Sequence, residues 1–144
     1  MCKQEKEYIF ADCSLNIKPN VDELVEITLQ SAQSAKTFGL KPRVALLSYS
    51  TYGSGHGEDV DMVKEVATRL KRLPLDYEVD GELQVDCALN KDVAMLKAPD
   101  SKVGGCANVL IFPDLNAANI GYKLVANLGG YEAMDQFFKG CVFQ

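Results

Sequence analysis

One histidine, His56, serves the whole of this 144-residue sequence. It sits in a glycine-rich stretch, so no Ser-His-Asp triad can be argued from it. Cysteine pairs at metal-binding spacing are missing too. None of Cys2, Cys13, Cys87, Cys106 and Cys141 forms a C-x-x-C, and five is an odd number, which speaks against both zinc knuckles and a disulfide framework. They read as reduced thiols packed as small apolar groups, in a cytoplasmic protein with no metal site. No apolar run approaches the ~20 residues of a membrane span. Met1 to Glu7 carries charge but no apolar segment, so no secretory leader is expected. A basic excess is lacking as well: the net charge is −5, which argues against non-specific nucleic-acid binding. There is no internal repeat and no low-complexity linker. The length fits one domain, able to bury roughly 70% of its unfolded surface without staples.

What the sequence does contain is organised around Arg43-Val-Ala-Leu-Leu-Ser-Tyr-Ser-Thr-Tyr-Gly-Ser-Gly-His-Gly57. Val44 to Leu47 is short and apolar, as a buried strand is. Small polar residues follow at once, and then a helical pattern with Val60, Val63, Val66, Ala67 and Leu70 on one face. A strand, glycine loop and helix in that order place a ligand at the carboxyl end of the strand. The loop offers hydroxyls and backbone N–H groups that a ligand can approach closely. It is not a P-loop, since no Gly-Lys-Ser/Thr closes it, and Gly53-x-Gly55-x-Gly57 has the wrong spacing for a dinucleotide fingerprint. Acidic Glu58, Asp59 and Asp61 suit the following helix dipole but would repel a phosphate. An anion site and an ordinary strand-to-helix connection both remain open, with the ordinary connection the stronger reading.

Elsewhere, Tyr8 to Ala11 reads as a strand, and Asp12 to Asn16 alternates towards a turn at Lys18 to Asn20. Asn20 with Glu23 makes a capping-box pattern for a helix with Val21, Leu24, Val25, Thr28, Ala32 and Ala35 on one face, ended by Gly39. Tyr77 and Val79 mark a strand that breaks at Asp80-Gly81. Val85 to Leu96 is one helix or two short ones, followed by a loop to Gly105. Asn108 to Phe112 is a second buried strand. Ile120, Gly121, Leu124, Val125 and Leu128 form a helix face stopped by Gly129-Gly130, and Tyr131 to Lys139 is a weaker last helix. Alternating strands and helices give an α/β domain with a mainly parallel sheet. If the strands near Val44 and Val109 are neighbours, the polar residues after both meet at one sheet edge. Asp114, Asn116 and Asn119 could orient a ligand there or cap a helix. Lys123 could pair a phosphate or stand solvated, and Asp80 and Glu82 could act as acid or base or belong to a turn.

Five stretches taken in order go further: Phe10 to Asn16, Arg43 to Thr51, Asp80 to Asp86, Lys97 to Ser101, and Ala107 to Asn116 with Asn119-Ile-Gly-Tyr-Lys123. This series resembles the phosphate acetyltransferases (phosphotransacetylases), over about residues 8 to 140. Phosphate butyryltransferases resemble it less at the Ser48-to-Gly57 and Asp80-to-Asp86 stretches. The resemblance implies a three-layer α/β/α fold with a mainly parallel sheet, like that of the isocitrate/isopropylmalate dehydrogenases. It also implies an acyl transfer joining acetyl-CoA and phosphate with acetyl phosphate and CoA, with CoA as substrate and no resident cofactor. A carboxylate would take the CoA thiol proton, and the thiolate would attack the acetyl carbonyl.

The resemblance covers only the second of the family's two domains, without its opening strand. A typical family chain is more than twice as long, with its active site between the domains and its association through the second. The arginines that hold phosphate lie in the first domain. The Asp-Leu-Ser-Arg signature falls beyond the position of Gly140, whereas this sequence ends Cys-Val-Phe-Gln144. Arg43, Arg69 and Arg72 are the only arginines and match no catalytic motif, so no catalytic residue is carried over. What carries over is one cleft wall that binds substrate: Ser48, Ser50, Thr51, Gly53 and Ser54, with Asp114, Asn116, Asn119, Tyr122 and Lys123. The expectation is a piece of an acetyltransferase, inactive by itself, that still forms a homodimer through this domain. The alternatives are a stand-alone non-catalytic module for CoA binding or dimerisation, or a piece of a phosphate butyryltransferase.

Overall fold

In the computed structural model, residues 7–12 and 16–130 are described, with the backbone of 133–135 and 140–143. β1 (Tyr8–Ala11), β2 (Arg43–Leu47), β3 (Glu78–Leu83) and β4 (Val109–Ile111) form a parallel sheet in the order β3-β2-β4-β1. β6 (Gly140–Phe143) joins β1 antiparallel, and β5 (Ala133–Asp135) joins β6. The helical reading of Tyr131 to Lys139 is therefore wrong at 133–135, where pairing with β6 overrides a weak helical pattern. Residues 13–15, within the Asp12-to-Asn16 alternation, lie outside the described residues, as do 131–132 and 136–139.

The sheet is apolar on both faces because helices cover both. On one face, Val44, Leu46, Val109 and Ile111 pack under α1 (Val21–Thr37) and α2 (Glu58–Lys71). On the other, Ala45, Leu47, Leu110 and Phe112 pack under α3 (Val85–Leu89), α4 (Lys91–Lys97) and α5 (Leu115–Leu128). The result is the expected three-layer α/β/α arrangement. α1 starts as its sequence requires. The Asn20 side chain accepts from Glu23 N at 2.8 Å, and Glu23 Oε1 accepts from Asn20 N at 3.2 Å. Gly39, with φ +83°, ends the helix in the left-handed region that glycine enters freely.

Two expectations fail here for packing reasons. β3 does not break at Gly81: it runs on to Leu83 beside β2. A Cβ on Gly81 would lie 2.6 Å from Leu46 Cβ, so glycine marks a close approach within the strand, not its end. The pairing with β2 shifts between Leu46 and Leu47, leaving Glu82 as the extra residue of a bulge. In consequence Val79 packs on the α1/α2 side and Leu83 on the opposite one, though regular alternation would put both on one face. The α5 face is also turned. Gly121 lies against the Phe112 ring, where a Cβ would come within 3.0 Å, and Ala118 is the buried residue. Ile120, Leu124 and Leu128 face outward, at 59%, 53% and 81% exposure. Their small neighbours let the helix approach the sheet on the other side.

Candidate functional site

β2 and β4 are neighbours and parallel, so Ser48 and Asp114, which follow them, stand at the same carboxyl edge. α2 leaves that edge over one face of the sheet and α5 over the other, so the two connections diverge. The topology thus brings both groups of expected site residues to one edge, where α/β proteins take their ligands.

The loop between β2 and α2 spends its polar groups on its own shape. Every backbone N–H from Ser50 to Gly55 is donated within the protein. Ser50 N–H donates to Ser48 Oγ (3.2 Å) and Thr51 N–H to Ser54 Oγ (2.9 Å). Tyr52 N–H donates to Glu82 O (3.3 Å) and Gly53 N–H to Glu82 Oε2 (3.2 Å). Ser54 N–H donates to Thr51 O (3.1 Å) and Gly55 N–H to Ser50 Oγ (2.8 Å). The expectation of free amides for a ligand is thereby corrected from Ser50 to Gly55: turn closure has used them. Ser50 and Thr51 are buried, and Thr51 Oγ1 accepts from Gln84 N at 2.9 Å. The hydroxyl hydrogens of Ser48 and Ser54 have no acceptor among the described residues and stay available. His56 is exposed; its carbonyl accepts from Tyr49 OH, whose ring lies against Gly55 and Gly57.

Across the edge, Asp114 caps α5, accepting from Ala117 N at 2.8 Å. Capping was one of its two readings. Asn116 is exposed and Asn119 half-buried, both in the first turns. Tyr122 and Lys123 start about 11 Å further along the helix than Leu115, not at its first turn. Tyr122 packs against the Phe112 side of the core, and Lys123 Nζ lies 5.8 Å from its ring centre. Two shallow concavities, one against Leu70, Leu73, Leu75 and Tyr77 and one against Asn16, Asp22, Glu23 and Glu26, involve neither group. Among the described residues, no three His, Cys, Asp or Glu side chains are grouped to hold a metal.

β3 supplies what the sequence reading placed only loosely. Glu82, 2% exposed, holds the loop through Gly53 and pairs with no cation among the described residues. Asp80, 4% exposed, accepts from Lys71 Nζ (2.8 Å), Gly81 N (2.9 Å), Ser101 Oγ and Tyr52 OH. Burial pushes its carboxyl up, but the hydrogen bonds from Lys71, Ser101 and Tyr52 outweigh it and hold the group below the ordinary carboxylate range. Burial and the Asp80 contact push the Tyr52 phenol up to about 12. Asp80 is therefore a fully engaged structural carboxylate, not a free acid or base. Beyond it, Gln84 Oε1 accepts from Thr51 Oγ1 (3.2 Å) and Lys97 Nζ (3.0 Å), and Lys97 also pairs Asp86 at 3.1 Å. Tyr52, Gln84 and Lys97 were missed as edge residues. Gln84 and Lys97 do fall in the stretches that carried the resemblance.

A family model described as phosphate acetyl/butaryl transferase matches residues 1–142. The chain belongs to that family. It is 54% identical over 134 residues to a phosphate acetyltransferase of Thermoanaerobacterium thermosaccharolyticum, covering 92% of the chain and 41% of that protein. It is 44% identical over 140 residues to that of Bacillus subtilis, covering 97% and 43%. Among solved structures, EutD phosphotransacetylase from Staphylococcus aureus superposes with TM-score 0.88 at 41% identity, over 100% of the chain and 44% of that protein. A branched-chain phosphotransacylase from Enterococcus faecalis gives TM-score 0.78 at 27% identity, over 85% and 45%. This member of the family thus spans less than half the length of the relatives it matches.

Proposed function

We propose that the chain forms one wall of a phosphate acetyltransferase active site, at the carboxyl edge between β2 and β4. The reaction is acetyl phosphate plus CoA to acetyl-CoA plus phosphate, and its reverse. The CoA thiol loses its proton, the thiolate bonds to the acetyl carbonyl carbon, and phosphate leaves. What carries the reading is the identity to phosphate acetyltransferases along nearly the whole chain, joined to a topology that puts the matching loops on one edge. The acetyl reading is preferred to a longer acyl group because the acetyltransferase relatives reach 44–54% identity, against 27% for the branched-chain phosphotransacylase.

On this reading Ser48 and Ser54 offer hydroxyl donors, Asn116 and Asn119 offer amides, and Lys123 offers a charge for the phosphates of CoA. Gly53 gives close approach, while Ser50, Thr51, Asp114 and Tyr122 shape the wall. No group on this edge is assigned as the base or the anion clamp: the resemblance implies phosphate-holding arginines in the first domain and a base from the Asp-Leu-Ser-Arg segment beyond the position of Gly140. CoA is a substrate, and no resident cofactor is needed. No helix among the described residues is long and apolar enough to cross a membrane. CoA and acetyl phosphate as substrates support a cytoplasmic protein on this reading. The homodimer that the resemblance implies would use this chain, with the outward stripe of α5 as its surface.

The test is a pair of measurements on the 144-residue chain. CoA should raise its melting temperature by a few degrees, while acetyl-CoA formation from acetyl phosphate stays at the blank rate. Turnover well above the blank would show the catalytic groups to lie within these residues and sink the one-wall reading. No CoA-dependent shift would sink the assignment of the edge.

A further inference from the structure

The Ser48–Gly57 loop turns on two consecutive left-handed residues, Tyr52 (φ +47°) and Gly53 (φ +87°). Glycine enters that region freely, but an aromatic residue there is an outlier that the surroundings must hold. Burial does not hold Tyr52, which is 46% exposed. Its hydroxyl does, by donating to Asp80. Asp80 in turn is a fixed point, tied by Lys71 from the end of α2 and by Ser101 from the loop after α4. The contacts of Ser50 with Gly55 and of Thr51 with Ser54 stay inside the loop, and that of Thr51 with Gln84 lies near its base. Tyr52 is the loop side chain that reaches the buried side of β3.

We propose that Tyr52 is a positioning residue, whose hydroxyl donated to Asp80 sets the turn at Tyr52-Gly53 and through it the ligand edge. Its link to a ligand rests on the reading of that edge as a CoA wall, but loop order can be read with no ligand present. Without the phenol hydrogen bond, only the amide contacts of Tyr52 and Gly53 with Glu82 hold the left-handed conformation, and the side chain no longer anchors it. The amides of Tyr52 and Gly53 then lose their acceptors on Glu82, and Ser48 and Ser54 lose their relative placement.

The experiment is residue-level amide hydrogen exchange on the protein and on Tyr52→Phe, which keeps the ring and removes only the hydroxyl. The amides of residues 52, 53 and 55 should exchange at least about tenfold faster, while those of Val44–Leu47 and Val109–Ile111 stay within about twofold. CoA affinity should fall by about tenfold. Unchanged loop exchange, or a rise shared in proportion by the strands, overturns the proposal. So does unchanged CoA affinity in a protein whose loop has loosened. Lys71→Met leaves both Asp80 oxygens in place for the phenol while removing the ion pair, and it tests the proposal even if Tyr52→Phe does not fold. It should lower the melting temperature yet leave loop exchange within about threefold, and a larger loss overturns the proposal. If the unsubstituted protein shows no CoA-dependent melting shift, the proposed function fails, and the exchange pattern still decides the role of Tyr52.

Discussion

Asp80 is a charge in an almost dry place, and its worth depends on pH. Its carboxyl is held below the ordinary carboxylate value, so the stability it contributes is present above about pH 3.9 and is lost as pH falls through its folded pKa. Asp80→Asn should cost about 2 kcal/mol near neutral pH, the order of a hydrogen-bonded charge. It should also flatten the acid limb of stability measured by urea unfolding between about pH 5 and 2. An acid limb identical to that of the unsubstituted protein would show that the charge contributes nothing. The sign reverses for Tyr52. Its pKa is raised to about 12, so the stability of its hydrogen bond is whole below about pH 10 and is lost as pH climbs through the folded value. The other titratable group that bears on it is the Cys87 thiol, itself pushed up by burial and by Asp86. Near-ultraviolet titration should show late-ionising tyrosines, Tyr52 and the burial-raised Tyr77, of which Tyr52→Phe removes the one held by Asp80. Its persistence in that variant would assign it to another residue. None of this was visible in Asp80-Gly81 as a dipeptide, because a turn and a buried charge cluster use the same two residue types.

Elements were most legible where local chemistry decides them. The Asn20 cap with Glu23, the stop at Gly39 and the apolar face of α2 all follow from contacts within a few residues. β3 was less so, because Gly81 answers to a neighbour far away in sequence. Gly81→Ala puts a methyl group against Leu46 Cβ and the Leu46 carbonyl, at 2.6 and 3.0 Å before any relaxation. It should cost about 1–3 kcal/mol, read as a lower urea midpoint with an unchanged slope. A loss below about 0.5 kcal/mol would mean that β3 yields easily and that the close approach does not require glycine. α5 failed in the other direction. Its apolar residues wrap round the helix, and periodicity alone cannot say which side meets the sheet.

For the whole molecule, the outward stripe of Ile120, Leu124 and Leu128 contrasts with the α1/α2 layer, whose outer face is polar. On the proposed function this stripe is the surface that a second copy would cover. If the partner is a second copy, Leu124→Glu should shift sedimentation from dimer to monomer, and the urea midpoint should lose its dependence on protein concentration. A chain that is monomeric at every concentration before substitution would rule that partner out. By itself, the sequence determined the alternation of strands and helices, the two doubly buried strands, the helix caps and the family, since each rests on local pattern or ordered motif. Only the tertiary structure decided that β2 and β4 are neighbours. It alone decided that the amides from Ser50 to Gly55 are already spent, that Asp80 is a junction, and which way α5 faces. Those outcomes depend on which distant residues come to lie side by side, and no local pattern encodes that.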